Sequence, residues 1–250
     1  MKNVTAKKHF GQHFLNNIKI ASNITGLIST NTKHVVELGP GMGMLTQFLI
    51  KHNYTTQVIE IDKESVLYLK KKYPQLKIYQ GDFLQINLKK MYPFNFSLIG
   101  NFPYNISSQI LFKILDNKDQ IPEIIGMFQK EVAERIVCKK GKQRGVLSVF
   151  LQAFYNIEYC FTVSPTMFTP PPKVQSAVIK LIRNKRKNLP IDEIKFKKVV
   201  KKSFSKKRKT LRNALNPFKL IHQKEIEDLL PLRAEQLSVE DFIKLTKSVE

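Results

Sequence analysis

The 250-residue sequence predicts an α/β fold: a mostly parallel sheet with helices on both faces, followed by a small all-helical C-terminal domain. Three observations predict it. Short apolar runs alternate with segments of helical period from residue 34 to residue 137. A glycine-rich turn follows the first of those runs. After Ile182 the composition shifts, and residues 183–212 hold 14 Lys and Arg against Asp192 and Glu193.

The elements follow in order. Residues 7–15, KKHFGQHFL, are basic and broken by Gly11, which reads as a loop. Ile18, Ile20, Ile24, Leu27 and Ile28 mark a helix within 17–29. Strands are expected at 34–38, 57–61, 76–80, 96–99 and 124–128. Helices run between them through Leu45–Ile50, through Val66–Leu69, from Ser107 as N-cap to Leu115, and from Gln129 to Val137. A helix at 146–155 then leads to strands at 157–163 and 176–182, which have no crossover helix between them and so suit an antiparallel closure of the sheet. In the basic stretch, Ile194, Phe196, Val199, Val200 and Phe204 recur at helical spacing, so it is an amphipathic helix and not a tail. Two further short helices are expected in 223–250. The division drawn from these patterns is a catalytic domain over 1–185 and a basic helical domain over 186–250.

A hydrophobic content of 42% and a mean hydropathy of -0.24 suit an ordinary core large enough for one domain and an appendage. The formal charge of +22 points to a polyanionic partner. Cys138 and Cys160 lie far apart, without metal-ligand spacing, and fit a reducing compartment. No apolar run approaches the roughly 20 residues of a spanning helix, and residues 1–8 have no apolar h-region, so a cytoplasmic protein without a membrane partner is expected. His9 and His13 stand four apart, but Gly11 and the neighbouring lysines argue against a cation there, and no metal is expected.

The glycine turn reads Glu37-Leu38-Gly39-Pro40-Gly41-Met42-Gly43. A dinucleotide fingerprint, G-x-G-x-x-G, would need glycine at Met44 or Thr46, so both registers fail. What remains, E-x-G-x-G-x-G, is the turn of S-adenosylmethionine enzymes, where Gly39, Gly41 and Gly43 leave room for the methionine part. Glu60 ends the second strand, where a carboxylate accepts from ribose hydroxyls. Asp82 ends the third, where it accepts from an adenine amino group while Phe83 packs on the ring. The fourth strand ends in Gly100-Asn101-Phe102-Pro103-Tyr104-Asn105. Pro103 fixes its own φ and keeps Phe102 out of the helical region, giving a stiff turn with an amide, two carbonyls and an aromatic ring. Those are parts for holding a nucleobase, although a plain strand-to-helix turn, with Asn101 capping and Tyr104 packing, uses the same residues.

Taken together, KKHFGQHFL (7–15), ELGPGMGMLT (37–46), IEID (59–62), GDF (81–83), GNFPYNISS (100–108), FTPPPKVQSAV (168–178) and KKRKTLRNAL (206–215) resemble the bacterial small-subunit (16S) rRNA adenine N6,N6-dimethyltransferases. The block at 206–215 and the Pro triplet set that family apart from the large-subunit rRNA adenine methyltransferases. The resemblance implies a class I S-adenosylmethionine-dependent methyltransferase fold, Rossmann-like with a seven-stranded sheet. It also implies two methylations on each of two adjacent adenosines near the 3′ end of 16S rRNA, in the immature small subunit, by a monomer. Carried over by motif position, cofactor contacts fall to His13, Leu15, Gly39, Glu60, Asp82 and Asn101. His13 stands where many members have Asn, and Phe102 where Leu is usual.

On that reading, the Asn101 oxygen and the Phe102 carbonyl accept the two hydrogens of the adenine amine and orient its lone pair. Tyr104 stacks on the flipped base and Phe168 clamps its other face. Lys206, Lys207, Arg208, Lys209 and Arg212 bind RNA phosphates, with 7–15 and the loop Lys139, Lys140, Lys142, Arg144 adding to them. A non-catalytic RNA-binding assembly factor and a DNA adenine methyltransferase are the two rivals.

Overall fold

Val35, Val36 and Leu38 are all buried, as a strand covered on both faces requires. They belong to the central part of the main sheet in the computed structural model, which describes residues 4–52, 54–206 and 208–250. Among the described residues the strands are β1 (Phe14–Leu15), β2 (His34–Leu38), β3 (Thr55–Glu60), β4 (Lys77–Gln80), β5 (Ser97–Asn101), β6 (Glu123–Gln129), β7 (Tyr155–Val163), β8 (Phe168–Thr169) and β9 (Ser176–Arg183). The seven-stranded sheet has the order β4-β3-β2-β5-β6-β9-β7, parallel from β4 through β6 and antiparallel between β6 and β9. The expected closure by late strands is present. β1 and β8 form a separate antiparallel pair, with Leu15 opposite Phe168, which the loop reading of 7–15 does not anticipate.

Parallel pairing aligns the carboxyl ends of β2, β3, β4 and β5, and the turns that follow them form one rim. Gly100 in β5 must lack a side chain, because a Cβ there would lie 2.4 Å from the Leu38 carbonyl oxygen. Ser107 is the first residue of its helix, Ser107–Asp116, and not its cap, because the 3-10 turn Tyr104–Ile106 runs straight into it. Its Oγ donates to the Tyr104 carbonyl at 3.1 Å instead.

The chain divides into two compact units. The first comprises residues 1–133 and 157–183, and the second 134–156 and 184–250. Segment 134–156 thus belongs with the C-terminal residues, whereas the division drawn from sequence pattern places it in the catalytic domain. Helix Val146–Phe154 is apolar over most of its length and packs on helix Glu193–Ser205, with the Phe150 and Phe196 rings 6.1 Å apart. Asp192 caps that second helix by accepting from the Ile194 amide at 2.7 Å. Helix Val239–Lys247 closes the unit, starting from a Ser238/Asp241 capping box. Among the described residues no helix is long and apolar enough to cross a membrane.

Candidate active site

The turns at the carboxyl rim enclose a cavity of about 670 Å³ within the first unit, a size usual for a small-molecule site. Its walls come from segment 9–15, the glycine turn, the ends of β3 and β5, and residues 81–85. Gly39, Gly41 and Gly43 all have positive φ, at +68°, +55° and +80°. At Gly41 a side chain is excluded twice over, by that backbone and by the Phe14 ring 2.8 Å from where a Cβ would sit.

The Gly41 amide donates to Glu60 Oε2 at 3.0 Å, and the Asp62 amide to Oε1 at 2.9 Å. Backbone donors therefore fix the carboxylate at the cavity wall. Burial raises the Glu60 pKa and these amide bonds oppose the rise. Glu37 lies deeper. Burial lifts it to about 8, while Thr46 Oγ1 donates to it at 2.6 Å. Asp82 Oδ1 accepts from the Leu84 amide at 2.9 Å, and Phe83 beside it is buried. Lys113, which sequence reasoning missed, holds this segment. Its Nζ donates to the carbonyls of Leu84 at 2.8 Å and Ile86 at 2.6 Å and lies 5.7 Å from the Phe83 ring centre. Nothing in its local sequence distinguishes that lysine.

On the opposite wall, Asn101 Nδ2 donates to the His13 carbonyl at 2.8 Å. Phe102 keeps its ring in the core, edge-on to Phe128 at 5.0 Å, and its amide donates to Met127 O at 3.1 Å. Pro103, at φ -56°, carries the chain to Tyr104, whose hydroxyl bonds Ser176 Oγ. The Tyr104 ring stacks on His13 with centroids 5.6 Å apart. His13 Nδ1 lies 2.8 Å from the Pro170 carbonyl, so Nδ1 carries the proton. Leu15 is buried but still lines the cavity.

Phe168 departs from expectation. It is 2% exposed, packs with Leu15, Val163 and Val178, and does not line the cavity. Pairing of β8 with β1 turns that ring into the core, so in this arrangement it has no face to offer a base.

Segment 7–13 also differs from a phosphate-binding loop. Lys7 Nζ bonds Asp62 and lies 3.1 Å from Glu64, and Gln12 Nε2 reaches Asp62 at 3.5 Å. Asn105 Nδ2 donates to the His9 carbonyl at 3.5 Å. The segment is a strap fastened to the cofactor side by Asp62 and to the Asn101–Asn105 turn by two amides.

In the second unit, Lys206, Arg208, Lys209 and Arg212 are all exposed, and Lys207 lies outside the described residues. Arg208 has φ +72°, an unusual conformation for a side chain with a Cβ. Arg144 is 4% exposed and donates to Cys138 O at 2.7 Å and Gln152 Oε1 at 2.5 Å. It therefore organises its loop from within, leaving Lys139, Lys140 and Lys142 as the exposed cations there.

The donor set suits S-adenosylmethionine. A fixed carboxylate at the end of β3, an acid beside a buried aromatic after β4, and a backbone turn open to a ligand meet at one cavity. A family model described as ribosomal RNA adenine dimethylase matches residues 3–250. A ribosomal RNA small subunit methyltransferase A of Cytophaga hutchinsonii is 58% identical over 98% of this chain and 98% of its own length. The protein of the same name from Flavobacterium johnsoniae is 52% identical over 100% of this chain and 98% of its own. Among solved structures, a dimethyladenosine transferase from Plasmodium falciparum has a TM-score of 0.80 at 26% identity, covering 95% of this chain and 99% of that one. The 23S rRNA methyltransferase ErmE shares the fold at a TM-score of 0.76 and 22% identity, over 94% and 99%. The fold is that of the class I methyltransferases. With a match that leaves out only its first two residues, the chain belongs to the ribosomal RNA adenine dimethylase family.

Proposed function

We propose that this chain methylates N6 of adenosines in small-subunit ribosomal RNA, twice on each of two adjacent adenosines near the 3′ end of 16S rRNA. It does so in the cytoplasm, as a monomer, on immature small subunits. S-adenosylmethionine supplies a sulfonium-bound methyl, electrophilic enough that no covalent enzyme nucleophile is needed.

The chain's own residues bind and orient. Glu60 holds ribose hydroxyls, Asp82 an adenine amino group, and Phe83 packs by that ring. The target amine is a poor nucleophile because its lone pair is delocalised. Two acceptors, Asn101 Oδ1 and the Phe102 carbonyl, take its hydrogens, localise the lone pair and aim it. Tyr104 supplies the stacking face for a base drawn out of its helix. Exposed Lys206, Arg208, Lys209 and Arg212 are the phosphate contacts proposed for the second unit, and Lys207 is proposed with them from sequence alone.

The observation that carries the reading is the Asn101 amide. Its Nδ2 is engaged by the His13 carbonyl, so Oδ1 is the end left to accept. The test is transfer of labelled methyl from S-adenosylmethionine to immature small subunits, large-subunit RNA and DNA in parallel. We expect label only in the small subunit, recovered as N6,N6-dimethyladenosine, with RNA affinity falling steeply as salt rises. Label in large-subunit RNA or DNA, or cofactor binding with no transfer at all, would sink it.

A further inference from the structure

Ser176 has no role in the chemistry above, yet its hydroxyl meets the hydroxyl of Tyr104 across 72 positions of sequence. It is fully buried and opens β9. We propose that Ser176 is a positioning residue for methyl transfer, acting through Tyr104; the proposal rests on the functional reading given above.

One strand holds both halves of this contact. On one edge of β6, Met127 stands opposite Asn101 and its carbonyl accepts from the Phe102 amide at 3.1 Å, which fixes the base-holding turn. On the other edge Gln129 stands opposite Ser176, and the Lys130 amide donates to Gln175 O at 2.9 Å. Sheet geometry therefore sets the distance from the turn to the serine, and no flexible loop intervenes.

Tyr104 is held in three places. Ser107 Oγ bonds its carbonyl, the His13 ring lies against one face, and Ser176 takes its hydroxyl. The last contact acts at the far end of the ring, where a tether has most leverage on its rotation. A stacking platform must be set before the base arrives, since any rotor frozen on binding subtracts from affinity. Serine suits the place: it can donate or accept, and it fits a site with no exposed area. Alanine there would leave a half-buried phenol without this partner.

The test uses the full-length protein and a double-mutant cycle of Ser176→Ala and Tyr104→Phe, assayed for transfer to immature small subunits. Each single variant is expected to lose about 3- to 10-fold in kcat/KM for RNA, the worth of one ordinary hydrogen bond, with the KM for S-adenosylmethionine unchanged. Ser176→Ala added to Tyr104→Phe is expected to cost nothing further. Losses that multiply, or an equal rise in the cofactor KM, would mark Ser176 as mere packing and overturn the proposal. If Ser176→Ala does not fold, Tyr104→Phe removes the same bond from the other side, and wild-type kinetics there overturns the proposal equally. Wild-type protein that labels no RNA removes the functional reading and this role together. Active wild type with an unaffected Ser176→Ala removes only the role.

Discussion

Asn101 Nδ2 donates to the backbone carbonyl of His13 across 2.8 Å, and this bond decides which end of the amide the cavity meets. A carbonyl can only accept, so the amide cannot flip without losing its partner. Substituting His13 leaves that carbonyl in place, so the side chain at position 13 does not decide which end of the Asn101 amide faces the cavity.

Asn101→Ala removes the acceptor proposed above for the reacting amine. Methyl transfer should fall about 100-fold, in the range found when one preorganised group is deleted from an active site. RNA binding should stay near wild type. Single-turnover transfer and RNA titration, run side by side, check both, and a parallel loss of RNA affinity would count against the assignment.

Glu37 is a buried acid lifted to about 8 from 4.5 by burial. Its neutral form is the one the fold prefers, so its contribution is complete below pH 4.5 and is lost as pH climbs through 8. Glu37→Gln keeps an acceptor for Thr46 and has no charge to bury. The variant should match wild type near pH 4.5 and be the more stable of the two at pH 9, by up to a few kcal/mol. Thermal melts across that range would show the difference, and a gap that is constant with pH would contradict it.

Phe168 separates packing from recognition. As a core ring, its replacement by alanine should cost about 3–5 kcal/mol, whereas leucine should cost far less and leave transfer intact. A tenfold drop in kcat for Phe168→Leu, with its melting temperature kept, would instead return the ring to the base.

Lys7 fastens the strap. Burial pushes Asp62 up, but Lys7, Ser65, Gln12 and the Glu64 amide together hold it below the usual carboxylate range. The stability this pair adds is therefore complete above the ordinary carboxylate value of 3.8 and is lost as pH falls through the lowered value, where Asp62 takes up a proton. Lys7→Gln should speed cofactor release severalfold with little change in association, readable by stopped-flow displacement. An unaltered release rate would mean that the strap does not gate the cavity.

Much of this was legible in sequence because it is local. Periodicity places β2 through β6 to within a residue or two, and failure of the dinucleotide register at Met44 and Thr46 leaves the glycine turn of S-adenosylmethionine enzymes. Contacts between distant segments were not legible. Lys7 with Asp62, Tyr104 with Ser176, and His13 with Pro170 are paired by topology, and no single stretch signals its partner. The clamp role for Phe168 rests on family resemblance, and only the β1–β8 pairing shows that the ring points into the core. The placement of segment 134–156 is non-local in the same way: helix Val146–Phe154 packs on helix Glu193–Ser205, a partner far along the chain that its own sequence does not signal.

The antiparallel ladder between β6 and β9 also works as a reading frame. Side chains alternate across a strand, so one residue inserted within Ser176–Arg183 would turn its neighbours to the opposite face and carry the serine away from the tyrosine. Insertions at 171–174, before the ladder begins, shift no register. Relatives are therefore free to differ in length in the proline-rich loop but not in the strand it feeds, and indels observed there should stop short of the serine.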